Sequence, residues 1–97
     1  MAAYKEKFIQ ELNKQDTKVA VSGLIIDKDN DLIFIDDKTG VIAANISTDL
    51  SINTFVKVFG YVINNGNELQ IQGQVIQDLS NANKQLYNKV KMLINQK

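Results

Sequence analysis

The chain has no histidine, cysteine, arginine, tryptophan or proline. Histidine is the usual general base near neutral pH and the commonest transition-metal ligand. Without histidine and cysteine, Ser-His-Asp triads, thiolate nucleophiles and tetrahedral zinc sites are excluded. Only Asp, Glu, Lys, Tyr, Ser and Thr are left as catalysts, and no stretch reads as a phosphate-cradling loop or a dinucleotide fingerprint. An enzyme is therefore not expected, and no cofactor or metal is implied. The missing cysteine also rules out a disulfide framework. The missing arginine removes the planar fork that reads guanine bidentately, so sequence-specific duplex recognition is not expected. A basic excess is lacking too. The 11 lysines are balanced by 11 acidic residues, unlike proteins that hold duplexes mainly by their phosphates. No run approaches the roughly 18 apolar residues of a membrane span. The charged start MAAYKEKFIQEL lacks the apolar centre of a signal peptide, so an intracellular location is expected, in cytoplasm, nucleoid or nucleus.

What is present is one domain's worth of chain, 97 residues with 44% hydrophobic content, enough for a single modest core. Residues 3–14, AYKEKFIQELNK, place Tyr4, Phe8 and Leu12 four apart, and the spacing predicts a helix with one apolar stripe. From Lys18 the pattern turns to β. Five stretches rich in Val, Ile and Phe qualify as strands: 18–26, 31–36, 41–46, 55–63 and 68–77. DKDN (27–30) reads as a polar hairpin loop. In Asp37-Lys38-Thr39-Gly40, Gly40 stands where positive φ is easiest. Asn64-Asn65-Gly66-Asn67 holds the Asn-Gly hairpin signal. Gly23, Gly60 and Gly73 fall inside strands, where isolated glycines mark bulges or bends, and this favours a sheet that curls shut. Residues 79–96 predict a second helix with Ser80 as N-cap and a stripe of Leu79, Ala82, Leu86, Val90, Leu93 and Ile94. The expected organisation of 1–97 is thus an N-terminal helix and linker (1–17), a five-stranded barrel (18–78) and a C-terminal helix (79–97).

Two acidic groups could suggest chemistry. Asp27, Asp29 and Asp31 imitate the opening of a calcium loop, but the required sixth-position Gly and twelfth-position Glu are Leu32 and Lys38. Asp36 and Asp37 are neighbours on an extended chain, so their side chains diverge, and a turn role is expected instead. Together the five acids make that edge of the barrel hostile to a polyanion. On residues 55–62, inward Val56, Val58, Gly60 and Val62 leave Phe55, Lys57, Phe59 and Tyr61 outward. An aromatic and lysine stripe suits base stacking with charge support; the competing reading is burial under a terminal helix or a subunit. Gln70, Gln72 and Gln74 form either a hydrogen-bonding row or a solvated face.

A small five-stranded barrel with glycines in its strands suggests an OB-fold. FVKVFGYV (55–62) looks like the fourth-strand motif of that fold. IDDKTG (35–40) resembles the second-to-third-strand corner of replication protein A subunits. VIQDLSNANKQLYNKV (75–90) is similar to the passage from last strand to C-terminal helix in the middle subunit of that complex. The resemblance, over about residues 18 to 94, is to the small OB subunits of replication protein A and to the telomeric Stn1 and Ten1 proteins built like them. It implies a subunit of a single-stranded-DNA-binding assembly working in replication and repair. Such a subunit docks other OB-fold subunits through a C-terminal helix, here Leu79, Ala82, Leu86, Val90, Leu93 and Ile94, as a hetero-oligomer or homodimer. Weak direct DNA contact would fall to Lys57, Phe59, Tyr61, Gln70 and Gln72. One departure counts against a strong grip: VIAANI (41–46) and ELQIQGQVIQ (68–77) lack the aromatics that DNA-gripping relatives present. The alternatives are a stand-alone or homodimeric module binding single-stranded DNA or RNA, and a protein adaptor with no nucleic-acid role.

Overall fold

The computed structural model describes residues 3–80. Within them are six strands: β1 (Lys5–Glu6), β2 (Lys18–Asp29), β3 (Leu32–Asp36), β4 (Val41–Asn45), β5 (Phe55–Asn65) and β6 (Glu68–Asp78). They form one sheet in the order β1-β2-β3-β4-β6-β5, and an added β2–β5 pairing closes it. Strands β2 to β6 are therefore the five staves of a barrel, within two to three residues of the segments predicted from sequence.

Closure depends on β2 pairing with two other staves. Its first half, Lys18 to Leu24, runs antiparallel to β5, and its second half, Leu24 to Asp29, runs antiparallel to β3. Gly23 sits at this change of partner. Across the barrel, β4 and β6 run parallel through Ala43↔Gln70, Ala44↔Ile71 and Asn45↔Gln72. A register shift between Phe59 and Gly60 bends the long β5–β6 hairpin, with Gly60 opposite Gly73. A side chain at Gly60 would collide with the Gln72 carbonyl oxygen. The hairpin ends in a two-residue Gly66-Asn67 turn with Gly66 at φ 71°, which fits glycine at the first central position of a type II′ turn.

The interior follows from period-two alternation. Val19, Val21 and Ile25 of β2, Ile33 and Ile35 of β3, Ile42 and Ala44 of β4, Val56 and Val58 of β5 and Ile71 of β6 make one buried cluster. Most carry two branches at Cβ, which suits both the pleat and tight packing.

Three expectations need correction. Residues 3–14 are not a helix. They run as β1, parallel to β2 through Lys5↔Val19 and Glu6↔Ala20, and then as a short 3-10 turn over Ile9–Glu11. A spacing of four fits alternate residues of an extended chain as well as a helical face, so the pattern was ambiguous. Ile9 from this turn enters the core cluster, with Leu12 packed against it. The segment is thus a strap with an apolar plug. Second, DKDN is mostly strand: Asp29 pairs with Leu32, so the turn is Asn30-Asp31, with Asn30 at φ 57°. Third, in the β3–β4 turn the positive φ of 77° belongs to Lys38. Gly40 serves by closeness instead, since an added Cβ would stand 3.1 Å from Ile9 Cγ2.

The expected C-terminal helix, residues 79–97, lies almost wholly outside the described residues. At its expected start, the Leu79 amide donates to the Phe55 carbonyl at 2.8 Å, and the Ser80 amide donates to Asp78 Oδ1 at 2.8 Å. Among the described residues no helix is long and apolar enough to cross a membrane.

Candidate nucleic-acid interface

The outer row of β5 is set by the barrel's alternation. Val56 and Val58 point inward and are fully buried, so Lys57, Phe59 and Tyr61 point outward. Phe55, expected with them on the outside, is buried at 3% exposure. The rest of the row is graded: Lys57 and Phe59 are half-buried, and Tyr61 is open at 40%.

The strap causes the grading. The Tyr4 ring meets Phe59 edge-on, with centroids 5.3 Å apart and planes at 70°, a favourable arrangement for two ring quadrupoles. Glu6 Oε2 lies 3.3 Å from Lys57 Nζ. Lys57 Nζ also lies 5.4 Å from the Phe59 centroid. Lys18 opens β2 opposite Tyr61, and its Nζ stands 5.5 Å from the Tyr4 centroid and 5.7 Å from that of Tyr61. Three rings and two ammonium groups therefore share one patch. Tyr4 and Lys18 were not among the residues expected there. Only the β2–β5 register brings Lys18 across from Tyr61, and that register joins distant parts of the chain.

The glutamines lie beside this patch. Gln72 pairs with Tyr61 and Gln70 with Ile63 across β5–β6. On their other side they meet Asn45 and Ala43 of β4, and Gln72 Nε2 donates weakly to the Asn45 carbonyl at 3.5 Å. Lys18, Tyr61, Gln72 and Asn45 thus form one continuous outward row over four strands. Gln74 falls at the bulge and is exposed. The Asp27, Asp29 and Asp31 carboxylates are exposed at the β2–β3 end.

The acid pair diverges. Asp36 Oδ1 accepts from the Lys38 amide at 2.8 Å. Asp37 is 6% exposed and fully engaged. Its Oδ1 accepts from the Thr39 amide at 2.8 Å, the Thr39 hydroxyl at 2.6 Å and the Gly40 amide at 3.2 Å. Its Oδ2 accepts from the Ile9 amide at 2.7 Å. Thr39 Oγ1 in turn accepts from the Gln10 amide at 3.1 Å. The turn is therefore a clamp on the strap as well as a connection. Among the described residues no group of three acidic side chains converges to hold a metal ion.

The interface residues Ala82, Leu86, Val90, Leu93 and Ile94 lie outside the described residues. Leu79 is half-buried at the end of β6.

No family model matches the chain, and no curated protein matches its sequence significantly. Solved structures do match. The telomere capping protein Ten1 from S. pombe superposes with a TM-score of 0.80 at 13% identity, covering 98% of this chain and 100% of Ten1. A chain of the S. pombe Stn1-Ten1 complex gives 0.74 at 17% identity, covering 92% of this chain and 89% of that one. The hypothetical protein ygiW from E. coli gives 0.62 at 19% identity, covering 80% of this chain and 99% of its own. At such identities the likeness is one of architecture, and it agrees with the closed strand order described above. The chain has a Stn1/Ten1-like OB-fold.

Proposed function

We propose that this protein is a small OB-fold subunit of a replication-protein-A-like assembly on single-stranded DNA. Residues 79–96 dock a second OB-fold subunit through Leu79, Ala82, Leu86, Val90, Leu93 and Ile94. The β5 face adds weak direct contact through Lys57, Phe59 and Tyr61, with Gln70 and Gln72 beside them. In this reading residues 1–97 act as one intracellular binding domain, and its role is assembly rather than catalysis.

The observation that carries the reading is whole-chain likeness to Ten1, a TM-score of 0.80 over 98% of the chain. A likeness to a chain of the Stn1-Ten1 complex supports an OB-fold partner. The modest aromatic content of the face supports assembly over tight DNA binding: β4 and β6 carry no ring, and bases need rings to stack on. The β5 patch favours some direct contact, since Tyr61 stays open with lysine beside it.

Cross-linking with mass spectrometry in the source cell identifies what residues 79–96 touch. The expected partner is an OB-fold protein that co-purifies with single-stranded DNA. Leu86→Glu with Val90→Glu is expected to abolish that complex while leaving barrel unfolding unchanged. If the double variant unfolds the isolated protein instead, those residues belong to its own core. A partner with no link to nucleic acid would favour the adaptor reading.

A further inference from the structure

We infer that residues 4–6 of the strap are an internal stand-in for a nucleotide, covering the β5 contact face until a nucleic-acid strand displaces them. The inference rests on reading Lys57, Phe59 and Tyr61 as that face. Its basis is a match of chemistry at two points. A single strand offers flat rings that pack on aromatics and anions that pair with lysine. The strap offers one of each: the Tyr4 ring on Phe59 at 5.3 Å and the Glu6 carboxylate on Lys57 at 3.3 Å. They stand two residues apart on an extended chain, a span of roughly 7 Å.

The strap is also held unevenly. Its root is fixed: the Ile9 amide is buried on Asp37 at 2.7 Å, and Ile9 fills the core. Lys7 Nζ bridges to Asp16 at 2.9 Å. Holding its outer part are a two-residue ladder, an edge contact between rings, the Lys18 ammonium over the Tyr4 ring and an ion pair whose Glu6 side chain is 35% exposed, among other contacts. Each of these is individually weak. Residues 4–6 can therefore lift while 9–12 stay docked. Lifting frees the Phe59 ring, releases Lys57 from Glu6, and leaves Lys18 beside Tyr61. A strand that competes with the strap binds with its intrinsic affinity multiplied by the open fraction.

Anisotropy of a labelled oligothymidylate at low salt tests this with Tyr4→Ala/Glu6→Gln. Asp49→Asn controls for the charge, because it removes an exposed acid from a loop that contacts Ile25 and Lys28, toward the other end of β2 from Lys18. The double variant is expected to bind about tenfold more tightly than the wild type, from the combined loss of a ring contact and an ion pair. The control should change little, and adding Phe59→Ala should cancel the gain. Thermal unfolding of each variant confirms that the barrel is intact. If the wild type binds and the double variant binds equally, the strap is no gate, though the face stands. Weaker binding by the double variant would make Tyr4 a contact residue and overturn the inference. If neither protein binds, the reading of the face fails and the inference falls with it.

Discussion

The barrel wall and the strap hold the molecule together by different means. The wall is buried aliphatic surface, Val and Ile from all five staves with exposures near zero. The strap contributes one buried aliphatic, Ile9, with Leu12 half-buried beside the core and Tyr4 edge-on to Phe59, and is pinned besides by polar groups from elsewhere: Asp37, Thr39, Asp16 and the Ala20 carbonyl. Apolar burial is non-directional and shared among many neighbours. Hydrogen bonds to a carboxylate are directional and few. The wall should therefore fail as a whole, and the strap should come away alone.

The largest effect expected is at the wall. Gly60→Val would drive a branched side chain into the Gln72 carbonyl, and backbone on the facing strand cannot retreat without opening β5–β6. A loss of about 3 kcal/mol or more is expected, a large share of the stability of a domain of this size. Urea denaturation followed by circular dichroism measures it.

The middle effect separates the two regions. Asp37→Ala removes the acceptor for the Ile9, Thr39 and Gly40 amides. Leaving a buried amide unpaired costs about 1–3 kcal/mol. Hydrogen exchange should rise at Ile9 and Gln10 and stay slow at Val19, Val58 and Ile71. Equal loss of protection in both regions would mean that wall and strap form one cooperative unit.

The smallest effect is a pH dependence. Burial raises the Asp16 carboxyl, but the Asn13 amide, the Lys7 ammonium and the nearby Lys5 outweigh it and leave its pKa lowered from 3.8. A depressed folded-state pKa stabilises at pH above the unfolded value and loses that contribution as pH falls through the folded one. Stability should therefore decline on acidification below about pH 4, and Lys7→Met should flatten that part of the profile. Titration of thermal midpoints for both proteins is the check.

The wall was legible in the sequence because alternation of Val and Ile with polar residues is a local signal, and each hairpin carried its own turn chemistry. Phe55 was the exception. Alternation placed it on the outer face, and the structure buries it at 3% exposure. The strap misled because Tyr4, Phe8 and Leu12 repeat every four positions, a multiple of the strand period and close to one helical turn, and the group that decides the matter, Asp37, lies far along the chain. The Lys57, Phe59 and Tyr61 row was readable from strand period alone. Tyr4 and Lys18 were not, since they join the row only through barrel closure.

Beside the Ile9 plug and the Lys7–Asp16 bridge, the strap's root is docked through main-chain amides. Those of Lys7, Ile9 and Gln10 donate to Ala20, Asp37 and Thr39. Every residue except proline supplies such a donor. Docking therefore places little demand on side-chain identity over most of this segment, and substitutions at its outward positions can accumulate without losing the attachment. The clamp in the β3–β4 turn would stay constant while the residues laid across β5 drift, so the same barrel could be fitted with straps of different chemistry.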